Sequence, residues 1–346
     1  MTTVAPSPSA AGRTNPSAVL RGEHDLVVED RPVPEAGPGE VLVEVGAVGI
    51  CGSDVHYYEH GRIGPFVVEA PMVIGHEAAG TVVAVGEGVD PGRVGQLVAL
   101  EPGVPCRHCE QCLAGRYNLC PDVTFFATPP IDGAIAHLVT LDAAFAFPAP
   151  DDLDAESAAM AEPVSVGVWA CRKAGVTAGD RVLVTGAGPI GLLAGQVART
   201  FGAGHVSVTD VSDFRLGVAN ELGLEGRRAD EPLDQEYDVL LECSGSPIAV
   251  KTGLEALARA GRAVLVGMGP DEVPINVPLV QSRELTLTGT FRYARTYPLA
   301  LSLIASGAVD VKRLITHRFG LAETEAALTA GRREKDSIKA MVLPQD

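Results

Sequence analysis

Between Cys51 and Glu77 the sequence sets out a thiol, an imidazole and a carboxylate. It reads Cys51-Gly52-Ser53-Asp54-Val55-His56 and then, beyond a glycine-rich loop, Gly75-His76-Glu77. One donor of each kind suits a borderline-soft divalent metal, with zinc the default, and catalytic zinc typically takes three protein ligands and leaves a position for water or substrate. Ser53 and His56 add a hydroxyl and a second imidazole able to carry a proton away. The ordinary alternative is a buried cysteine with two incidental histidines, because a sequence pair fixes no distance.

A second concentration of donors follows. Cys106, Cys109 and Cys112 are closely spaced and Cys120 follows after seven intervening residues. Four thiolates at this spacing can close a tetrahedral shell around zinc with no open position. An iron–sulfur cluster or two disulfides compete, and the spacing favours structural zinc. His108, inside the loop, is expected to face solvent. Glu162, just before Pro163, reads on sequence alone as a favourable charge at a helix N-terminus.

The third constellation is Gly186-Ala187-Gly188-Pro189-Ile190-Gly191. Alone it is weak. Here a buried strand, Arg181 to Thr185, precedes it, an apolar helix runs on to about Phe201, and a second strand from His205 ends in an acid, Asp210. That context identifies a dinucleotide site. The glycines let backbone approach a pyrophosphate at a helix N-terminus. Asp210 would accept from ribose hydroxyls and repel a 2′-phosphate, which favours NAD. Arg215 argues the other way, since guanidinium pairs well with phosphate.

The stretches Cys51 to Tyr58, Gly61 to Gly64 and Pro71 to Glu77 resemble the zinc-dependent medium-chain dehydrogenases, in particular the polyol branch of sorbitol and xylitol dehydrogenases. The likeness runs to the C-terminus. It implies a chaperonin-10-like β-rich catalytic domain and a doubly wound Rossmann domain, an α/β chain with two zinc ions and NAD. It implies catalytic zinc on Cys51, His76 and either Glu77 or Glu162, which in relatives lies beside the metal. Cys106, Cys109, Cys112 and Cys120 match the family's structural-zinc lobe, and Asp54 would hydrogen-bond a metal histidine. The likeness assigns proton transfer to Ser53, His56 and Glu162, and a substrate pocket to Tyr57, Phe125, Glu162, Arg292 and Tyr293. It adds Val266, Gly267, Met268, Thr290 and Phe291 to the cofactor site, with Gly186, Gly188, Pro189, Ile190, Gly191, Asp210 and Arg215. The reaction implied is oxidation of a polyol's secondary hydroxyl to a ketose. Rivals are a zinc alcohol, butanediol or threonine dehydrogenase, and, more remotely, a metal-free quinone reductase or a non-enzymatic protein of the same fold. Relatives are commonly dimers or tetramers, so a homo-oligomer is expected.

These groups need elements to hold them. Val41 to Val45, Thr81 to Val85 and Gln96 to Leu100 have strand composition, and Gly/Pro turns between short strands suggest a partly open barrel. Strands are expected at Asp238 to Cys243, Arg262 to Gly267 and Glu284 to Gly289, and a helix at Thr296 to Ala305. Glu225 to Glu236 is short and polar where a fuller strand and helix would be usual. The expected division is a disordered tail over 1–16, a catalytic domain over 17–164 and 292–346 with its lobe at 101–121, and a cofactor domain over 165–291. Apolar residues make up 46% of the 346, ample for two cores, and a net charge of −17 disfavours nucleic acid or anionic membrane as partner. No apolar run reaches the roughly 18–20 residues that span a bilayer. The N-terminal stretch has neither a signal peptide's apolar core nor a transit peptide's arginine-rich face. Seven cysteines, four of them crowded, then indicate metal before disulfide and a cytoplasmic chain.

Overall fold

The computed structural model describes residues 14–233 and 235–346. Two large sheets organise them. The first has seven strands built around Glu40–Gly49, which pairs antiparallel with Glu77–Val85, with Leu138–Asp142 and with the C-terminal strand Lys339–Leu343. Val41, Val43 and Val45 are fully buried at alternate positions, the period of a strand with one face on a core. The expected strands at Thr81 to Val85 and Gln96 to Leu100 are Glu77–Val85 and Leu97–Leu100.

The second sheet has six parallel strands. In space they run Glu225–Arg228, His205–Asp210, Arg181–Thr185, Tyr237–Glu242, Leu257–Leu265 and Thr286–Gly289. This is the doubly wound order, whose crevice lies where the winding reverses, between Arg181–Thr185 and Tyr237–Glu242. The short segment after Glu225 forms an edge strand, and no helix is found among the described residues before Tyr237. A polar strand is tolerated there because an edge is solvated. Glu225 accepts from Ser207 Oγ at 2.6 Å, and Arg228 pairs with Asp213 at 2.8 Å and Asp230 at 3.1 Å.

Helix Ala161–Ala174 lies against both halves. Gly167 permits close packing on helix Pro189–Thr200, since a Cβ there would meet Ala194 Cα at 3.1 Å. Val164 and Val168 are fully buried on it, each contributing about 1.5–3 kcal/mol. Helix Tyr297–Ala305 packs into the same core, and Tyr297 donates to the Leu100 carbonyl at 2.8 Å, fastening the returning chain to the first sheet.

One expectation is corrected at the N-terminus. Thr14 to Pro16 belong to strand Thr14–Gly22 and not to a disordered tail. Asn15 exchanges two hydrogen bonds with the backbone of Leu138, at 3.0 and 2.8 Å, which holds the strand's start in place. The rest of the expected tail, 1–13, lies outside the described residues.

Candidate active site

Helix Gly52–His60 begins at Cys51, whose extended backbone is the N-cap, and ends at Gly61 in the left-handed region, φ 61°. Asp54, wholly buried, accepts from the Cys51 N–H at 2.9 Å and from the Gly75 N–H at 3.0 Å. One carboxylate thus pins both backbones that carry the donors. Its Oδ1 is 3.7 Å from His76 Nδ1, beyond hydrogen-bond length, so Asp54 holds the loops and acts on the imidazole through charge. Gly75 has φ 88°, and a Cβ there would lie 2.5 Å from Ile135.

Cys51, His76 and Glu77 bring one ligand atom each to within 4.8 Å of one another. Thiolate, imidazole and carboxylate at that spacing fit zinc. Glu162 stands outside this trio. It is buried on the first turn of helix Ala161–Ala174 and accepts from the Tyr293 hydroxyl at 2.7 Å. Burial pushes its carboxyl up to about 7, with His76 opposing and Glu77 adding. For His76, burial works against the charged form, but Asp54 and Cys51 outweigh it and hold the imidazole well above its ordinary range.

Sequence reasoning missed Lys339. It is 2% exposed, donates to the Ile50 carbonyl at 2.9 Å and pairs directly with the Glu77 carboxylate, itself 1% exposed. Burial pulls the ammonium's pKa down, yet Glu77 holds it above the usual lysine value. The available signal was a lone cation in the apolar run Ile338-Lys339-Ala340-Met341-Val342. Gly49 makes room for the pair, because a Cβ there would fall 2.1 Å from Glu77 Oε2 and 2.9 Å from Lys339 Cε.

Ser53 is half-buried and His56 is exposed one turn further along the same helix. Tyr57 is buried, and burial, then Asp54, pushes its hydroxyl up to about 12. Phe125 places its ring 5.7 Å from that of His76. The guanidinium of Arg292 lies between two rings, 3.8 Å from the centroid of Phe125 and 4.8 Å from that of Phe291. The substrate residues expected from sequence therefore converge. His108 is exposed and bonds the Cys106 carbonyl at 2.8 Å, outside the sulfur group.

The four sulfurs of the lobe also lie within 4.8 Å of one another, with Cys106 to Cys112 at 3.9 Å and Cys109 to Cys112 at 3.4 Å. All are free thiols, and these spacings approach the edge of a zinc–sulfur tetrahedron, about 3.8 Å for bonds of about 2.3 Å. N–H groups of His108 and Cys109 draw the Cys106 thiol down to about 6, whereas burial pushes Cys112 up to about 12 and Cys120 upward.

At the crevice of the parallel sheet, Gly186 has φ 91° and Gly191 sits so close that a Cβ would lie 1.8 Å from the Gly186 carbonyl oxygen. A Cβ on Gly188, the N-cap before Pro189 and Ile190, would meet nothing within 4 Å, so the helix N-terminus opens on free space. That is the cradle a pyrophosphate requires. Asp210 accepts from the N–H groups of Ala187 at 2.7 Å and Ser212 at 2.8 Å, which orients its carboxylate at the strand end. Arg215 comes within 3.5 Å of the Ser337 carbonyl. Val266 and Gly267 hang from the Glu242 carbonyl at 2.8 and 2.9 Å, Met268 is exposed, and Thr290 bonds the Leu265 carbonyl at 3.0 Å. These residues lie at the C-terminal ends of the strands, beside Ser244, which approaches Gly186.

Residues 37–151 match the model of the alcohol dehydrogenase GroES-like domain and residues 189–306 that of the zinc-binding dehydrogenase domain. The chain is 42% identical over 341 residues to a sorbitol dehydrogenase of Bacillus subtilis, covering 95% of this chain and 97% of that protein. It belongs to the zinc-dependent medium-chain dehydrogenases. A human sorbitol dehydrogenase is 45% identical over 335 residues, covering 93% of each. Among solved structures, an Escherichia coli oxidoreductase/dehydrogenase of unknown specificity superposes with a TM-score of 0.92 at 36% identity, covering 96% of this chain and all of that one. The chain is thus an NAD-dependent oxidoreductase acting on CH–OH groups, with zinc and NAD as its cofactors. No helix among the described residues is long and apolar enough to cross a membrane.

Proposed function

We propose that this chain is a polyol 2-dehydrogenase that oxidises a secondary hydroxyl of a sugar alcohol such as sorbitol or xylitol to a ketose. The observation that carries this is Arg292. Its guanidinium, half-buried, packs against the rings of Phe125 and Phe291 and donates to Thr128 Oγ1 at 3.4 Å. Burial pulls its pKa below the usual arginine value. A planar fork of five donors, held beside the metal donors, suits a ligand that offers several hydroxyls.

Cys51, His76 and Glu77 would hold the catalytic zinc, which would supply Lewis acidity toward a substrate hydroxyl, and the crevice residues would hold NAD, which would supply the hydride acceptor. The chain's own groups do the rest. Ser53 receives the hydroxyl proton and His56, on the next turn and open to solvent, releases it. Glu162, oriented by Tyr293, accepts a hydrogen bond from water or substrate beside the trio. Tyr57 and Arg292 hold the remaining hydroxyls and Phe125 walls the apolar side. Cys106, Cys109, Cys112 and Cys120 would hold the second zinc. The cofactor half spans 165–291 and the catalytic half 17–164 and 292–346. On family likeness, we assign a cytoplasmic homo-oligomer, dimer or tetramer.

A simple alcohol would leave two or more of these polar groups unpaired, at about 1–3 kcal/mol each, on the order of a hundredfold in catalytic efficiency. Following NADH formation with xylitol, sorbitol, 2,3-butanediol, threonine and 2-butanol tests this directly. Arg292→Ala should lose that order of efficiency on xylitol and little on 2-butanol. A wild type that prefers the simple alcohol, or equal losses on both, overturns the reading.

A further inference from the structure

A further group of metal donors stands apart from the cleft and the four-cysteine lobe. His317, on strand Ile315–Gly320, meets Glu334 and Asp336, which follow helix Thr324–Arg333. The three bring one ligand atom each to within 4.8 Å of one another. His317 is half-buried and both acids are exposed, so an ion can enter from solvent.

The imidazole is held in one state. Thr316 Oγ1 accepts from the Ile338 N–H at 3.0 Å and gives its single hydrogen to the Lys339 carbonyl at 3.2 Å. Its contact with His317 Nδ1 at 2.9 Å is therefore donated by the ring. A neutral imidazole with its hydrogen on Nδ1 carries a free lone pair on Nε2, and a hydrogen bond at one ring nitrogen is what fixes the other as a metal ligand. The ring of Phe319 backs the imidazole, nearly parallel at 12° with 6.4 Å between centroids. Nε2 faces Asp336 Oδ1 at 3.9 Å. That is beyond hydrogen-bond length, yet it lies between the separations of about 3.4 and about 4.2 Å that two ligands at about 2.1 Å from one ion have at tetrahedral and at opposite positions.

Charge points the same way. Glu334 is the C-cap of helix Thr324–Arg333, where the free carbonyls already carry partial negative charge and a carboxylate is disfavoured. Arg332, in the last turn, pairs instead with Glu59. Among the described residues no lysine or arginine pairs with Glu334 or Asp336. The Ser337 N–H bonds the Glu334 carbonyl at 3.2 Å and closes the turn that carries both acids. Two carboxylates and a neutral nitrogen balance one divalent cation.

We propose that His317, Glu334 and Asp336 form a third divalent-metal site, of the imidazole–carboxylate class that takes zinc or manganese, with water completing the shell. The ion would fasten the end of helix Thr324–Arg333 to strand Ile315–Gly320. Being exposed, the site should empty on dialysis and refill when metal is added. It is independent of the polyol reading.

The test titrates the dialysed, zinc-loaded full chain with Zn²⁺ by calorimetry and locates the added ion by anomalous diffraction. One further equivalent should bind, with its peak bounded by the three side chains. His317→Ala and Asp336→Asn should each weaken it at least about tenfold, and Thr316→Val, which releases Nδ1, about tenfold. The resident zinc and the turnover should not change. Added zinc should raise the thermal midpoint of the wild type and not that of His317→Ala. Mg²⁺, which takes oxygen ligands, should displace the ion poorly. No further equivalent at millimolar zinc, a peak elsewhere, or wild-type affinity in both His317→Ala and Asp336→Asn overturns the proposal, and these exposed positions decide it even if Thr316→Val fails to fold. Displacement by Mg²⁺ as effective as by Mn²⁺ overturns the part given to the imidazole. Metal content is read without turnover, so failure here leaves the polyol reading untouched.

Discussion

Lys339→Met isolates the buried charge pair beneath the metal donors. Methionine keeps the length and apolar stem and removes the charge. Glu77, 1% exposed, then loses its direct cationic partner. Breaking a buried pair from one side costs about 3–5 kcal/mol, because the surviving charge stays desolvated. The cost belongs to the pair, so Glu77→Gln should relieve it. The double variant Glu77→Gln/Lys339→Met should be more stable than the sum of the single effects implies, with a coupling of about 2 kcal/mol or more. Zinc beside the same carboxylate supplies positive charge, so the Lys339→Met deficit should be smaller with cleft metal bound than after chelation. Urea unfolding can be followed through Trp169, the one tryptophan in the chain, half-buried on the helix whose first turn carries Glu162. Additivity of the two substitutions within about 0.5 kcal/mol would refute the argument, as would a Lys339→Met protein as stable as wild type without metal.

Other changes probe the remaining devices. Cys109→Ser should lower bound zinc from two equivalents to one and reduce the unfolding midpoint, since a closed metal site contributes folding energy; metal analysis and urea titration read both. Gly49→Ala should strip the cleft zinc, because its Cβ would lie 2.1 Å from Glu77 Oε2, and retention of both equivalents with normal turnover would contradict this. Asp210→Ala should raise KM for NAD and narrow the preference over NADP by about tenfold or more, as charge repulsion and ribose bonds are lost together; an unchanged ratio would show that the acid does not face the ribose.

Much of the fold was readable because its signals are local. The glycines of Gly186 to Gly191 stand between a buried strand and an apolar helix, and the acid closes the next strand, so one stretch of chain identified the cofactor crevice. The β-branched composition of Val41 to Val45 did the same for the first sheet. Boundaries were less legible where long-range pairing decides them. Thr14 to Pro16 carry a proline and two polar residues, yet they form a strand because Asn15 finds the Leu138 backbone 123 residues away. The contact of Arg215 with the Ser337 carbonyl, 122 residues away, is likewise visible only in the folded chain.

The site divides in the same way. Donor types and spacing named Cys51, His76 and Glu77, but sequence left Glu77 and Glu162 as alternatives. The fold separates their surroundings: Glu77 joins the thiol and imidazole, and Glu162 is engaged by Tyr293. Lys339 was invisible as a site residue because nothing near it in sequence does chemistry. It reaches the cleft through a contact that spans most of the chain, to the Ile50 carbonyl. A buried charge in an apolar strand is the trace such residues leave. Since burying a charge without a partner is costly, Lys339 within a strand of otherwise apolar neighbours requires an acid, and the only question left to the fold is which one.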